Sequence, residues 1–312
     1  MRVIILGGTG LVGSGLAASY AADGHEVIVL TRHLTSAPTS HPSIRAVQWD
    51  GRSPAGWGHL VDGADAVVNL AGETIGGTHL GQVFFQRWSS AKKRRILESR
   101  TDAGHALMEA ITAAARKPAT LLQMSAVGFY GPRPDRDLDE SAPAGKDFLA
   151  GVCLAWERAT EAVEAMGVRR VVVRTGLVLS TLGGLFPVVL LPFRMFVGGR
   201  LGGGDQGFSW IHAEDQRRAL RWLIENKDLH GVFNLTAPDP VANAQLGRAV
   251  AGALHRPYWF PTPSFLLRLV LGEKAMLVLE GQFVRPKRLL EAGFTFRYPS
   301  LENALESLLG GK

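Results

Sequence analysis

Short apolar runs rich in β-branched residues alternate with stretches of helical composition through the first 175 residues, a rhythm that predicts parallel strands joined by helical crossovers. Val3–Leu6 reads as the first strand, Leu11–Ala22 as the first helix and Glu26–Leu30 as the second strand, with Asp23-Gly24 ending the helix between them. Further strands are expected at Ile44–Trp49, Ala66–Leu70, Thr120–Met124 and Arg169–Arg174. Long helices are expected at Phe84–Arg116 and Phe148–Met166, both rich in Ala, Leu, Glu and Arg. The implied fold class is α/β, a Rossmann-type doubly wound parallel sheet.

After Gly176 the pattern loosens into Gly- and Pro-rich sequence; Gly231–Leu235 then gives one more strand before a last segment with two apolar helical stretches. The expected organisation is a nucleotide-binding domain of residues 1–176 with about 213–239, and a smaller substrate-side lobe of 177–212 and 240–312. Such a lobe would cover the carboxyl edge of the sheet, where open α/β folds bind ligands.

The loop between the first strand and first helix changes the picture from fold to ligand. It reads Gly7-Gly8-Thr9-Gly10-Leu11-Val12-Gly13. Gly7 suits the tight turn, Gly10 lets the backbone approach a pyrophosphate, and Gly13 lets the helix lie close on the strand. The plain alternative is a strand-to-helix turn without a ligand. About 20 residues on, where an NAD-specific protein places an acid for the ribose 2′-hydroxyl, this chain has Thr31-Arg32-His33. Arg32 offers a bidentate partner for a 2′-phosphate, which favours NADP(H), unless it is a solvated strand-end arginine. Asp50 either accepts from the adenine amino group or caps a turn with Gly51. Asn69-Leu70-Ala71-Gly72-Glu73 puts small residues after the fourth strand, against the cofactor or as simple strand-to-loop packing.

These motifs, with Ser125-Ala126-Val127-Gly128-Phe129-Tyr130-Gly131 after the fifth strand, resemble the extended short-chain dehydrogenase/reductases of nucleotide-sugar epimerase type. Arg87-Trp88, Ser99-Arg100, Arg174-Thr175-Gly176 and the stretch 206–215 narrow the resemblance to the atypical epimerase-like family. A C-terminal module of unassigned role is matched by Leu279-Glu280-Gly281-Gln282, Val284-Arg285-Pro286 and Ala292-Gly293-Phe294. The resemblance implies NADPH binding, with contacts from Thr31, Arg32, Leu70, Ala71, Arg95, Arg100 and Val178. Trp88 and Arg95, seven apart on an expected helix, would share a face; the run Lys92-Lys93-Arg94-Arg95 otherwise reads as a solvated helix face.

The chemistry is less standard than the binding. Catalytic members of the wider family pair a Tyr with a Lys four residues later, but the residues four after Tyr20, Tyr130, Tyr258 and Tyr298 are Gly24, Pro134, Thr262 and Glu302. Alignment of the helix that carries the pair puts Cys153 and Glu157 there, and a carboxylate raises a phenol pKa rather than lowering it. Ser125 and Tyr130 remain as catalytic candidates, although counting back from Tyr130 places Ala126 at the usual hydroxyl and Tyr130 serves equally as a structural side chain. Cys153 fits a small buried packer, and His212 either an acid/base group or part of a helix start that packs Trp210 and caps with Asp215. Glycines at 198, 199, 202, 203, 204 and 207 could form a mobile loop over the nicotinamide, and Leu185–Val197 a wall of the cleft, a dimer contact or ordinary core.

Composition then narrows the partners. In 312 residues, 46% hydrophobic and 20% charged positions fit a globular protein. The net charge of +6 suits an anionic small molecule and falls short of a dedicated nucleic-acid binder. A single cysteine, Cys153, excludes an intramolecular disulfide and a thiolate cluster. No His, Asp and Glu spacing suits a metal, and no Gly-Lys-Ser/Thr follows the glycines, so ATP is not expected. Leu185–Val197 and Phe265–Leu271 are too short to span a bilayer, and the start at Met1 lacks a secretory signal. The expected setting is the cytoplasm, with a small-molecule substrate and either a monomer or a dimer.

Overall fold

The structure, a computed structural model, describes residues 1–34, 41–76, 87–133 and 137–310. Six strands form in the first part of the chain: β1 (Arg2–Leu6), β2 (Glu26–Thr31), β3 (Ile44–Gln48), β4 (Ala66–Asn69), β5 (Thr120–Ala126) and β6 (Arg169–Thr175). Four short strands and one long one follow: β7 (Leu177–Leu179), β8 (Gly207–Phe208), β9 (Trp210–His212), β10 (Gly231–Leu235) and β11 (Val241–Ala242). Seven of them make one parallel sheet in the order β10-β6-β5-β4-β1-β2-β3. The order reverses between β1 and β4, the point where a doubly wound sheet opens a ligand crevice.

Both faces of this sheet are covered, which is why its strands read as continuous apolar runs. Val3, Ile5, Val27 and Val29 pack with Leu16 and Tyr20 of the Leu11–Ala22 helix and with Leu220 and Leu223 of the Ala213–Glu225 helix. The alternate residues Ile4, Leu6, Ile28 and Leu30 pack with Ala103, Leu107 and Ile111 of the Ser90–Ala113 helix. A third apolar cluster joins Phe186, Leu190 and Phe193 to Leu246, Val250, Leu301 and Leu305, beside two-stranded pairings of β7 with β9 and β8 with β11. Residues 287–296, grouped with the smaller lobe from sequence, instead send Leu289, Phe294 and Phe296 into the first cluster on the main sheet.

Two helix boundaries differ from the sequence reading. The expected Phe84–Arg116 helix is Ser90–Ala113, capped by the Ser89 side chain accepting from the Lys92 amide; residues 84–86 lie outside the described residues. Trp88 therefore precedes the helix and does not share a helical face with Arg95; its indole N–H donates to the Ile75 carbonyl. The expected Phe148–Met166 helix stops at Arg158 and resumes as a tight turn over Glu161–Met166. Arg170 from β6 donates to the Glu157 carbonyl and Thr160 donates to Gln123, so the break satisfies groups of the sheet that a continuous helix would leave bare. No helix among the described residues is long and apolar enough to cross a membrane.

Candidate functional site

Gly7 ends β1 with φ of 77°, and a Cβ there would lie 3.0 Å from the Leu70 carbonyl carbon. At Gly13 a Cβ would sit 2.6 Å from the Gly7 oxygen, so the close seating of the first helix on its strand requires glycine. Gly10 is the helix N-cap and offers no side-chain acceptor. The first-turn amides, including those of Leu11, Val12 and Gly13, therefore lack intrahelical partners and favour an anion.

Beside this turn lies a cleft of about 470 Å³ at the carboxyl ends of β1 to β4. Its walls include Gly7, Thr9, Gly10, Thr31, Arg32, Asp50, Leu70, Ala71, Gly72, Glu73 and Arg95. The sequence motifs thus converge on one place. Leu11, Val12, Gly13, Arg100 and Val178 are not among its walls. Val178 pairs with Ile211 between β7 and β9, and Arg100 is buried, its guanidinium donating to the carbonyls of Glu73 and Ile96 over the Trp156 ring. Burial pushes the Arg100 guanidinium down to about 10. His33, Trp49, Arg52, Ser99 and Asp102 also line the cleft and were missed. Arg52 was readable as the basic residue after Asp50-Gly51, and Ser99 as the neighbour of Arg100.

Charges in this cleft are not equivalent. Asp50 accepts from the amides of Arg52 and Ser53 and from the Ser53 hydroxyl, the turn-capping alternative, and these bonds hold its carboxyl below the usual range. Glu73 accepts from Lys92 at 2.5 Å and lies 3.6 Å from Arg95, while Lys93 pairs with Glu273. The basic run is therefore mostly engaged rather than a plain solvated face. Arg52 faces Asp102 at 3.5 Å. Arg32 is exposed, rests its side chain 3.9 Å from where a Gly51 Cβ would sit, and has no ion-pair partner among the described residues. Thr31 Oγ1 accepts from the His33 amide and donates to the His33 carbonyl, fixing the bend that carries Arg32.

Ser125 and Tyr130 sit elsewhere, at 0% exposure, in one buried chain of polar groups. The Ser125 hydroxyl donates to Glu157 at 2.6 Å, and Glu157 receives both Nε and Nη2 of Arg174 at 2.9 Å. Arg174 Nη1 donates to the Tyr130 oxygen at 3.2 Å, and the Tyr130 hydroxyl donates to Asn234 at 2.7 Å. The Arg174 guanidinium lies 3.3 Å from the Phe129 ring centre. Burial raises the Tyr130 pKa despite the opposing charge of Arg174. Neither hydroxyl belongs to the wall of a described cavity.

A second cleft, of about 300 Å³, opens between Ala126–Gly128, the Phe148–Arg158 helix and the C-terminal segment around Met276–Gln282. Cys153 and Asp147 line it, with Thr175, Ser209, Glu280 and the buried Arg100. Asp147 caps the helix through Oδ1, accepting from Leu149 and Ala150, while its Oδ2 has no partner. Burial, with the nearby Glu157 charge, pushes the Cys153 thiol up to about 11. His212 lies outside this cleft: its Nδ1 accepts from the Glu214 amide and caps the Ala213–Glu225 helix. The cap is thus His212 rather than Asp215, whose carboxylate accepts from the amides of Arg297 and Tyr298. Two of the glycines expected in a mobile loop, Gly199 and Gly207, are closely packed. A Cβ on Gly199 would lie 2.0 Å from the Phe260 carbonyl, and one on Gly207 2.4 Å from the Gln282 carbonyl carbon. Among the described residues no group of three His, Cys, Asp or Glu side chains is placed to hold a metal.

Comparison with known proteins adds to this geometry. The model of the NAD dependent epimerase/dehydratase family matches residues 3–236, and a domain of unknown function, DUF1731, matches residues 262–308. The epimerase family protein YfhF of Bacillus subtilis (strain 168) is 37% identical over 315 residues, spanning 100% of this chain and 99% of its own. The crystal structure of human epimerase family protein SDR39U1 (isoform 2) with NADPH superposes at a TM-score of 0.87 with 34% identity, covering 100% of both chains. A nucleoside-diphosphate sugar epimerase from Corynebacterium glutamicum superposes at 0.78 with 34% identity, covering 99% of this chain and 58% of that one.

Proposed function

Because the chain belongs to the NAD dependent epimerase/dehydratase family, we propose that it binds NADP(H) in the cleft at the Gly7–Gly13 turn and uses it on a small molecule held in the neighbouring cleft. The observation that carries the cofactor choice is Arg32, an exposed guanidinium without an ion-pair partner among the described residues, where an acid would select the unphosphorylated ribose. The related human protein, crystallised with NADPH, supports the same choice. Gly7, Thr9 and Gly10 with the helix-start amides would receive the pyrophosphate, Leu70, Ala71 and Gly72 the ribose, and Arg32, with Thr31 and Arg95, the phosphorylated end.

Bound there, the nicotinamide would supply or accept a hydride. Residues 1–176 with about 213–239 act in this reading as the dinucleotide-binding part, and 177–212 with 240–312, apart from the 287–296 stretch packed on the main sheet, as the substrate side. Ser125 and Tyr130 act as positioning residues: their hydroxyls brace β5 and β6 beneath the cleft floor. Substrate contact falls to Cys153, Thr175, Ser209 and Asp147. Cys153 as a neutral thiol donates a weak hydrogen bond rather than attacking.

A second reading, an NADPH sensor or scaffold without turnover, is favoured by one observation. Glu157, which the resemblance aligns with the usual Lys as it aligns Cys153 with the Tyr, is spent on Ser125 and Arg174. Titration with NADPH and NADH tests the first layer: NADPH binds more tightly, and equal affinities refute the role of Arg32. Absorbance at the reduced nicotinamide band across a panel of aldehydes, ketones and quinones separates the two readings, since a sensor oxidises none of them above background.

A further inference from the structure

Next to the reaction cleft lies another space of about 180 Å³, bounded by the Phe186–Arg194 helix, the Asn243–Ala253 helix and the Ser264–Leu271 helix. Leu185, Gly207, Phe208, Leu277 and Glu280 belong to the walls of both, so a single molecule can extend from one into the other. Its remaining lining is dominated by side chains such as Val188, Pro192, Phe193, Leu246 and Leu267. An apolar cavity of about 150 Å³ takes up benzene.

We propose that this space receives the uncharged apolar group of a substrate whose polar end lies in the reaction cleft, a group of roughly one aromatic ring or a six- to eight-carbon chain. The identity of the polar end rests on the function proposed above, whereas the affinity of the cavity for an apolar group does not.

Charge argues in the same direction. Arg100 and Lys274 are the basic side chains in the described walls of the two spaces, and Asp147 and Glu280 offset them. Arg100 donates through Nη1 to the carbonyls of Glu73 and Ile96, and burial together with Lys92 works against the charge of Lys274. A nucleoside-diphosphate sugar, whose diphosphate diester carries two negative charges, meets in these walls one arginine and one lysine set against two carboxylates. Of the polar groups in the cavity wall, Gln206 is engaged, donating to the carbonyls of Leu201 and Val278. Apolar area is the larger part of what the cavity offers.

The test is calorimetric binding of 2-alkanones from four to ten carbons, and of UDP-glucose, to protein saturated with NADPH and to protein without it. Affinity for the ketones rises about fourfold per methylene, as burial of a CH₂ group requires, and levels off once the cavity is full. Val188→Phe, which fills the space from one helix, and Leu267→Trp, which fills it from another, each shorten the chain length at which the rise stops. Two independent variants guard against a fold defect in either, and circular dichroism confirms that each is folded. An affinity independent of chain length, a plateau unmoved in folded variants, or UDP-glucose binding more tightly than 2-octanone overturns the proposal. Chain-length-dependent binding without NADPH oxidation upholds the cavity and moves the function to the sensor reading.

Discussion

The nucleotide cleft and the polar chain under the reaction cleft belong to the same sheet yet are built on opposite principles. The cleft relies on what the backbone leaves open: glycines without side chains, helix-start amides without acceptors and an arginine without an ionic partner among the described residues. Under the reaction cleft nothing is left open. Ser125, Glu157, Arg174, Tyr130 and Asn234 satisfy one another at 9% exposure or less. An open arrangement binds, and a closed one braces. Changes in the two regions should therefore fail in different assays.

The largest effect is expected from Glu157→Ala. It strands the Arg174 guanidinium in the interior and removes the acceptor of Ser125, so stability falls by about 3–5 kcal/mol in urea unfolding. Glu157→Gln keeps the shape and one acceptor and loses less. Retained NADPH affinity in folded Glu157→Gln keeps the two regions separate, whereas a parallel fall in both would merge them.

Arg32→Ala inverts that pattern. With no ion-pair partner among the described residues to strand, its removal leaves unfolding unchanged, yet NADPH affinity drops roughly 10- to 150-fold, the equivalent of about 1.5–3 kcal/mol for a charge-assisted contact. NADH affinity stays within about twofold, since nothing else about the cleft changes. Tyr130→Phe comes next: it leaves Asn234 and Arg174 each one hydrogen bond short and costs about 1–2 kcal/mol of stability. Turnover of an accepted ketone at saturating NADPH should be unaltered, and a loss beyond tenfold would return Tyr130 to the reacting groups.

The same contrast explains what sequence could reveal. The Gly7–Gly13 turn is local: strand, loop and helix adjoin in the chain, and their spacing carries the geometry, so Leu11–Ala22 and Gly231–Leu235 fall where periodicity puts them. Thr31, Asp50 and Leu70–Glu73 follow strands at equivalent positions and so share the carboxyl edge. Arg100 and Val178 look equivalent on a motif but are not walls of the nucleotide cleft, because their placement depends on packing against Trp156 and Ile211 from distant segments. Asp147, which lines the reaction cleft, had no local signal beyond a helix cap. The chain from Ser125 to Asn234 joins four segments by charge and burial, which no spacing encodes; hence Ser125 and Tyr130 were recognised as special without their enclosure being visible. The break after Arg158 is of the same kind, set by Arg170 reaching across from the sheet.

The smallest effect asks whether the reaction cleft holds an ionised nucleophile at neutral pH. Cys153 titrates near 11 in the folded chain, whereas an unfolded thiol titrates near about 8.5. Folding therefore favours the protonated form: the contribution is fully present below about pH 8.5 and is lost as pH rises through about 11. The difference in unfolding midpoint between the native chain and Cys153→Ala should shrink across that window. Alkylation by iodoacetamide follows the thiolate, so its rate keeps climbing up to about pH 11 rather than flattening near pH 8. A plateau at neutral pH would put a reactive sulfur in the second cleft, and the second region would then be a catalytic one after all, with Cys153 as its reacting group.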